Sequence, residues 1–185
     1  MAETDDKNRV LATATTLFNE RGVQAVGMDA IRDAAGISLK RLYSCFRSKA
    51  DLVAAVLEQR DADVRRAMTE YVQSRAADPR DRILAVFDFL AHWFAESDFR
   101  GCMFINTIGE LGGTSTDVRR IARLHKTAVR DYLADLVAAA ELPSELAEQL
   151  AILADGAIVA ATIWGDGTDA AAAARRAAAT LISAS

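Results

Sequence analysis

The chain has 185 residues, of which 51% are hydrophobic and 26% charged, and its formal net charge is −4. This composition excludes a disordered chain, and the length limits the protein to one or two compact domains. Cys45 and Cys102 lie too far apart for a disulfide framework or a zinc motif, so neither a disulfide nor a metal is expected to hold the fold.

The first part of the chain predicts three helices. Apolar residues at helical spacing, Val10, Ala14, Leu17 and Phe18, form a stripe that ends near Gly22. A short helix over 29–35 ends at Gly36. Ser38 then caps another short helix, whose apolar positions are Leu39, Leu42 and Phe46.

The remainder predicts about six further helices. A long one runs from about Lys49 to Arg75, and Asp78-Pro79 begins the next, where Phe89 and Trp93 widen the apolar arc enough for burial on two sides. Others are expected over 101–111, 116–140, 143–164 and 170–182. No alternation typical of strands occurs, so the predicted fold class is all-α.

Residues 29–46 have the pattern of a helix-turn-helix. Ile31, Ala34 and Ala35 are expected to face inward, and Gly36 permits a left-handed turn. The second helix would pack through Leu42 and Phe46. Its outward residues would be Leu39, Lys40, Arg41, Tyr43 and Ser44. Basic residues in the first turn of such a helix suit the major groove of DNA, although a solvated helical hairpin would show the same pattern.

The charge distribution agrees with a local DNA-binding surface. Residues 1–50 hold eight Lys/Arg and six Asp/Glu, whereas the rest of the chain is acidic. Residues 36–49 contain four basic residues and no acidic one. A basic patch on an acidic protein is the electrostatic footprint expected of a nucleic-acid reader.

The order and spacing of these elements resemble the tetracycline-repressor (TetR) family of bacterial transcription regulators. The matching elements are Ala14 with Leu17-Phe18, Gly22, Ile31, Ala35-Gly36-Ile37-Ser38, Leu42-Tyr43, Phe46, and Ser48-Lys49 followed by Leu52. The resemblance covers the N-terminal quarter. It implies a three-helix DNA-binding domain over 1–48, a six-helix ligand-binding and dimerisation domain over 49–185, and a palindromic double-stranded DNA operator.

The resemblance also implies DNA contacts at particular positions. Tyr43 and Lys49 match the family's phosphate contacts, and Ser38 matches the start of its recognition helix. Many members have Ser or Thr where this chain has Val26-Gly27, so Gly27 would offer a main-chain N–H instead. Lys40-Arg41 replaces a small pair and is expected to alter base preference, since arginine can bind guanine bidentately. Ser44 completes the predicted contact set.

Bulky apolar residues with polar groups among them indicate an effector pocket in the second domain. The candidates are Phe87, Leu90, Trp93, Phe94, Met103, Phe104, Asn106, Thr107, Glu110, His125, Tyr132 and Trp164. Taken singly, each aromatic residue is better explained as part of the core, and so is His125, which lies on the apolar stripe of its helix. The expected effector is small and apolar or aromatic, or cationic if Glu110 faces the cavity.

Two stripes of small residues suggest a homodimer through the last two helices. Ala154, Ala157 and Ala161 form one, and Ala170, Ala173, Ala174, Ala177, Ala178, Leu181 and Ile182 form the other. Two such helices from each chain would make a four-helix bundle about a two-fold axis. Packing of the stripes within one chain is the alternative.

The sequence favours a regulator over an enzyme. Cys102 and His125 have no identifiable acid partner or oxyanion donor, and neither a phosphate loop nor a metal-ligand pattern occurs. No cofactor is expected. Two alternatives remain: a thiol-based redox sensor acting through Cys102 or Cys45, and a small-molecule binding protein that has lost its DNA activity.

The segment 147–164 is interrupted by Glu148, Gln149 and Asp155, so no membrane span is expected. The acidic N-terminus lacks the features of a secretory signal. The prediction is therefore a cytoplasmic, homodimeric DNA-binding regulator, a repressor that a small molecule releases from its operator.

Overall fold

A computed structural model describes residues 2–185, with side chains from residue 4 onward. That range contains nine helices and no strand, which confirms the all-α fold class. The helices are α1 Ala2–Arg21, α2 Met28–Ala35, α3 Leu39–Cys45, α4 Lys49–Arg75, α5 Pro79–Phe94, α6 Met103–Leu111, α7 Thr116–Ala139, α8 Leu146–Trp164 and α9 Gly167–Ala184.

Local capping sets several of the helix ends. Gly36 adopts the left-handed conformation after α2, at φ 63°, which glycine tolerates because it has no Cβ. The Asp78 carboxylate accepts a hydrogen bond from the Arg80 N–H, 2.8 Å away, and so caps α5. α8 begins at Leu146 rather than at Pro143. α9 begins earlier than predicted, at Gly167, because Asp166 caps it through the Thr168 N–H.

The chain forms two compact units. The first contains the residues up to Ala62 together with Met103–Arg123, and the second contains Asp63–Cys102 and Leu124–Ser185. The predicted boundary after residue 48 falls at the start of α4, inside the first unit. That unit therefore includes the first part of α4, all of α6 and the beginning of α7.

The core of the first unit follows the predicted stripes. Val10, Ala14, Leu17 and Phe18 of α1 are buried, and so are Ile31 and Ala35 of α2 and Leu42 of α3. The prediction that Ala34 faces inward is wrong, since Ala34 is exposed. At about 100° per residue, Ala34 lies about 60° from Ile31 on the side away from Ala35, so it falls at the edge of the buried face and is exposed.

The second unit is organised around α5, which packs against both α8 and α9. Its wide apolar arc is buried at Ile83, Val86, Phe87, Phe89, Leu90 and Phe94. The start of α9 approaches so closely that a Cβ at Gly167 would collide with the Phe94 side chain. Burial of α5 on two sides, as its sequence predicts, is therefore confirmed.

The alanine stripes serve the interior of the chain. Ala154, Ala157 and Ala161 of α8 are buried, as are Ala170, Ala174, Ala178 and Ile182 of α9, and these two helices pack against each other. Ala173 and Ala177 are exposed. The expectation that the whole stripes form the dimer contact is thus corrected: small residues allow α8 and α9 to approach closely within one chain.

Among the described residues, α8 is the one helix long and apolar enough to cross a membrane, with a mean hydropathy of 1.6. Glu148 and Asp155 are too few to bring the hydropathy of this helix below the criterion. A core helix meets the same criterion of length and composition. α8 buries Leu150, Ala154 and Ile158 on one side, whereas Ile152 and Ile163 on its other side are exposed.

Candidate DNA-binding surface and effector region

Helix α3 is fixed by its cap and by its packing. The Ser38 Oγ accepts a hydrogen bond from the Arg41 N–H at 3.3 Å, which satisfies one of the main-chain donors at the helix start. Leu42 is fully buried and Phe46 is 5% exposed. Anchored at these points, α3 cannot rotate without exposing its apolar face, so its outward face is defined.

The predicted DNA-contacting residues of α3 lie on this outward face. Lys40, Arg41, Tyr43 and Ser44 are all exposed, and Tyr43 retains 45% of its accessible surface. The Ser44 Oγ donates a hydrogen bond to the Arg41 carbonyl oxygen at 2.7 Å. The structure therefore gathers a lysine, an arginine, a phenol and a hydroxyl on one exposed helix face, the groups used for base edges and phosphates.

Gly27 occupies the N-cap position of α2. Its backbone is extended, and no side chain caps the helix there. A Cβ at this position would meet nothing within 4 Å, so the position has room for a side chain. A helix start of this kind attracts anions, since its N–H groups point outward and the helix dipole is positive there.

Lys49 begins α4 beside the turn that joins α1 to α2. Its Nζ lies 3.4 Å from the carbonyl oxygen of Gln24. Partial burial lowers the pKa of Lys49 below its ordinary value, whereas the nearby Glu110 carboxylate acts in the opposite direction. Lys49, a predicted phosphate contact, therefore lies beside the Gln24 carbonyl and near the Glu110 carboxylate.

Glu110 of α6 binds the same turn through both carboxylate oxygens. Its Oε1 accepts the Val23 N–H at 3.1 Å and its Oε2 accepts the Gln24 N–H at 2.6 Å. The Gln24 side-chain amide donates in return to the Glu110 carbonyl oxygen. Two main-chain donors thus compensate the charge, so Glu110 does not require a cationic ligand.

The approach of Glu110 depends on a glycine. Gly22 has φ 81°, in the left-handed region, and a Cβ there would lie 2.9 Å from Glu110 Oε1. Both observations favour glycine at this position, since another residue would be strained and would also displace the carboxylate. We call Gly22, Val23, Gln24 and Glu110 the turn clamp.

Four of the predicted ligand residues line one cavity in the first unit. Met103, Asn106, Thr107 and Glu110 surround a volume of about 390 Å³, together with Phe18, Asn19, Gly22 and Gly109. This volume falls within the range of small-molecule sites. Phe104, the other predicted member on α6, is 2% exposed and belongs to the core.

The other predicted ligand residues belong to the second unit. Phe87 and His125 are buried, as is Leu90, while Trp93 and Phe94 join Phe99 in an aromatic cluster with centroids 4.9 to 5.9 Å apart. Burial raises the pKa of the Tyr132 phenol above its ordinary value, and a hydrogen bond with Thr69 opposes this. Trp164 is 73% exposed.

Sequence reasoning missed Asp6, which contacts the predicted base reader Arg41. The Asp6 Oδ2 accepts a hydrogen bond from Arg41 Nε at 2.7 Å and another from Arg41 Nη2. One signal was available: Asp6 lies four residues before Val10 and so extends the buried stripe of α1. A carboxylate at such a position needs a cationic partner, but spacing alone does not identify which one.

Comparison with known proteins identifies both parts of the chain. Residues 10–56 match the family model of bacterial regulatory proteins of the tetR family, and residues 79–181 match the tetracyclin repressor-like C-terminal domain. The first range contains the capped helix α3 and its exposed basic face. The second contains α5 to α9, except for the last residues of α9.

Similar proteins are transcription regulators. The repressor NemR of Escherichia coli K12 is 30% identical over 118 residues, 63% of this chain and 59% of NemR. The activator FasR of Mycolicibacterium smegmatis is 40% identical over 91 residues, 46% of this chain and 41% of FasR. The matches thus span about three fifths or less of these relatives.

Solved structures extend the similarity to nearly the full chain. A TetR-family regulator from Streptomyces coelicolor has a TM-score of 0.87 at 25% identity, covering 97% of this chain and 95% of its own. The reduced form of Escherichia coli NemR has a TM-score of 0.85 at 25% identity, covering 94% and 95%. These proteins regulate transcription and are not enzymes. With both of its parts matched, the chain belongs to the tetR family of bacterial regulatory proteins.

Proposed function

We propose that this chain is a cytoplasmic, homodimeric repressor that binds a palindromic operator and leaves it when a small molecule binds. The observation that carries the proposal is the exposed face of α3, where Lys40, Arg41, Tyr43 and Ser44 project from a helix anchored by Leu42. Reading by the N-terminal part of such a helix is the geometry of helix-turn-helix proteins.

An unpartnered apolar face on α8 supports the homodimer. Ile152 and Ile163 are 67% and 71% exposed, and Val159 between them is 40% exposed. These residues recur at helical spacing on the side of α8 that faces away from the buried alanine stripe. A contiguous exposed apolar face is typical of a protein interface, and a two-fold dimer would bring the same face of each chain together.

The cavity beside α6 supports an effector site. Asn106 and Thr107 offer polar groups and Met103 and Phe18 offer apolar ones around about 390 Å³, which suits a small molecule that carries both polar and apolar groups. A ligand that occupies this cavity contacts the helix that carries Glu110. It would release the operator only if it binds the DNA-free conformation more tightly than the DNA-bound one.

Thiol redox sensing is a second candidate function. Cys102 is buried directly before α6, Cys45 is half-buried in α3, and neither forms a disulfide. A structural relative, NemR, is described in its reduced form. Oxidation of Cys45 would disturb the DNA-reading helix itself, and oxidation of Cys102 would disturb the start of α6.

Binding to DNA from the chain's own promoter region separates these functions. A ligand-released repressor should bind that DNA as a dimer, should be displaced by a small molecule, and should be insensitive to a thiol oxidant. A redox sensor should lose binding on oxidation, and Cys102→Ser or Cys45→Ser should prevent the loss. A small-molecule binding protein without DNA activity should bind neither promoter DNA nor any sequence selected from a random pool.

A further inference from the structure

Asp6 is a nearly buried carboxylate whose partners are two arginines. The residue is 8% exposed, and its Oδ1 accepts a hydrogen bond from Arg9 Nη2 at 2.8 Å. Its Oδ2 accepts from Arg41 through both Nε and Nη2, with 2.7 Å to Nε. The carboxylate thus fixes one edge of the guanidinium of Arg41.

Arg41 remains accessible while it is held. Its side chain is 47% exposed, and it projects from the outward face of α3. A free arginine samples many rotamers and must give up that freedom when it binds a base. A guanidinium held by a carboxylate has already lost much of its rotamer freedom. Its planar donors therefore meet a base edge in one orientation.

We propose that Asp6 is a positioning residue that sets the base preference of Arg41. This inference rests on the proposed function, in which α3 reads an operator. Asp6 lies before residues 10–56, the range matched by the family model, and so is not one of the positions that carry the family signature.

The charge of Asp6 gives the proposal a distinctive consequence. A carboxylate next to Arg41 offsets its positive charge and so weakens its attraction to any phosphate, which is the part of affinity that carries no sequence information. The same carboxylate orients Arg41 toward one base. Removing it should therefore lower sequence preference while leaving affinity for random DNA unchanged or higher.

The test compares Asp6→Asn with Asp5→Asn in the full chain. Asp5 is adjacent on α1, its side chain is 81% exposed, and it lies 3.6 Å from Arg9, so its substitution changes the net charge equally. The wild type first selects an operator from a pool of random duplexes. Affinities for that operator, for single-base variants and for random duplex DNA are then measured for both variants, for Arg41→Ala and for the double variant Asp6→Asn with Arg41→Ala.

We expect Asp6→Asn to reduce the ratio of operator to random affinity by about fivefold or more, the lower end of what a bidentate base contact contributes. The loss should fall at the base pair that Arg41→Ala also relaxes, and the double variant should lose no more. Asp5→Asn should keep the wild-type ratio. A purely structural role for Asp6 would instead lower operator and random affinities together.

Arg41→Lys provides a test that leaves Asp6 in place. Lysine keeps the charge but cannot offer the two adjacent donors, so it should bind random DNA as the wild type does and lose the base preference as Arg41→Ala does. Wild-type preference in Arg41→Lys, or in a folded Asp6→Asn, would overturn the positioning role. If the wild type selects no sequence at all, the proposed function itself fails and the inference fails with it.

Discussion

Neighbouring side chains around α3 carry separate parts of the proposed DNA-binding free energy. Arg41 projects from the exposed face, where it can meet a base edge, whereas Lys49 lies at the start of α4 beside the Gln24 carbonyl. Base contacts provide specificity and phosphate contacts provide affinity. Substitutions at these two positions should therefore differ in kind as well as in size.

Arg41→Ala should relax preference at one or two operator positions by roughly 1 to 3 kcal/mol. Lys49→Ala should weaken binding to every sequence and should reduce the slope of log affinity against log salt by about one. Titrations of operator and random DNA at several salt concentrations measure both effects. Equal losses on the two DNAs for Arg41→Ala would show that this side chain contacts phosphate alone.

Gly27→Ser should strengthen DNA binding without regard to sequence. The position is extended and open, so a serine fits, and its hydroxyl can cap α2 and reach a phosphate. Folding stability should rise by a few tenths of a kcal/mol, about the difference between serine and glycine as an N-cap. Gly27→Ala is the matched control, and affinity equal to that of Gly27→Ser would exclude a hydroxyl contact.

Between helices, the turn clamp ties α6 to the turn that precedes α2. Glu110 accepts two main-chain N–H groups there, and Gly22 leaves the space that its carboxylate fills. All four residues belong to the first unit, which also contains α3. A shift of α6 would therefore move the turn before α2 directly, through the hydrogen bonds of the Glu110 carboxylate.

Gly22→Ala should destabilise the protein by about 1 to 2 kcal/mol from its left-handed backbone alone, and by more if Glu110 is displaced. Gly113→Ala is the control, because a Cβ there meets nothing within 4 Å and its φ is not positive. Urea denaturation of both variants measures the difference. Equal stabilities would show that neither the left-handed backbone nor the contact with Glu110 requires glycine at position 22.

For the assembled regulator, the proposed dimer depends on α8. Ile163→Glu should convert the dimer to a monomer, because a charge would be buried in an apolar contact. The monomer should bind a half-site weakly and should lose the cooperative protection of two half-sites spaced about 34 to 36 Å apart. Leu124→Glu, at a residue 57% exposed on α7, is the matched control. Sedimentation velocity and footprinting test both statements, and a dimeric Ile163→Glu would place the interface elsewhere.

Local patterns made most of the fold predictable. Helical spacing, the Ser38 and Asp78 caps and the Gly36 turn act over a few residues, so they can be read directly from the chain. The exposed basic face of α3 follows from the same spacing, once Leu42 is buried. Periodicity alone did not distinguish a DNA-binding helix-turn-helix from a solvated helical hairpin. The family signature added the expectation of DNA contact.

Long-range contacts lay beyond such reasoning. The pairing of Asp6 with Arg41 joins residues 35 positions apart, and that of Glu110 with Gln24 joins residues 86 apart. Whether an alanine stripe packs within one chain or against another is likewise not encoded in its spacing. Spacing determines which residues share a helix face, because helix geometry is local. The partner of that face depends on how distant segments of the chain pack. The tertiary structure was therefore needed to identify the role of Asp6, the turn clamp and the exposed face of α8.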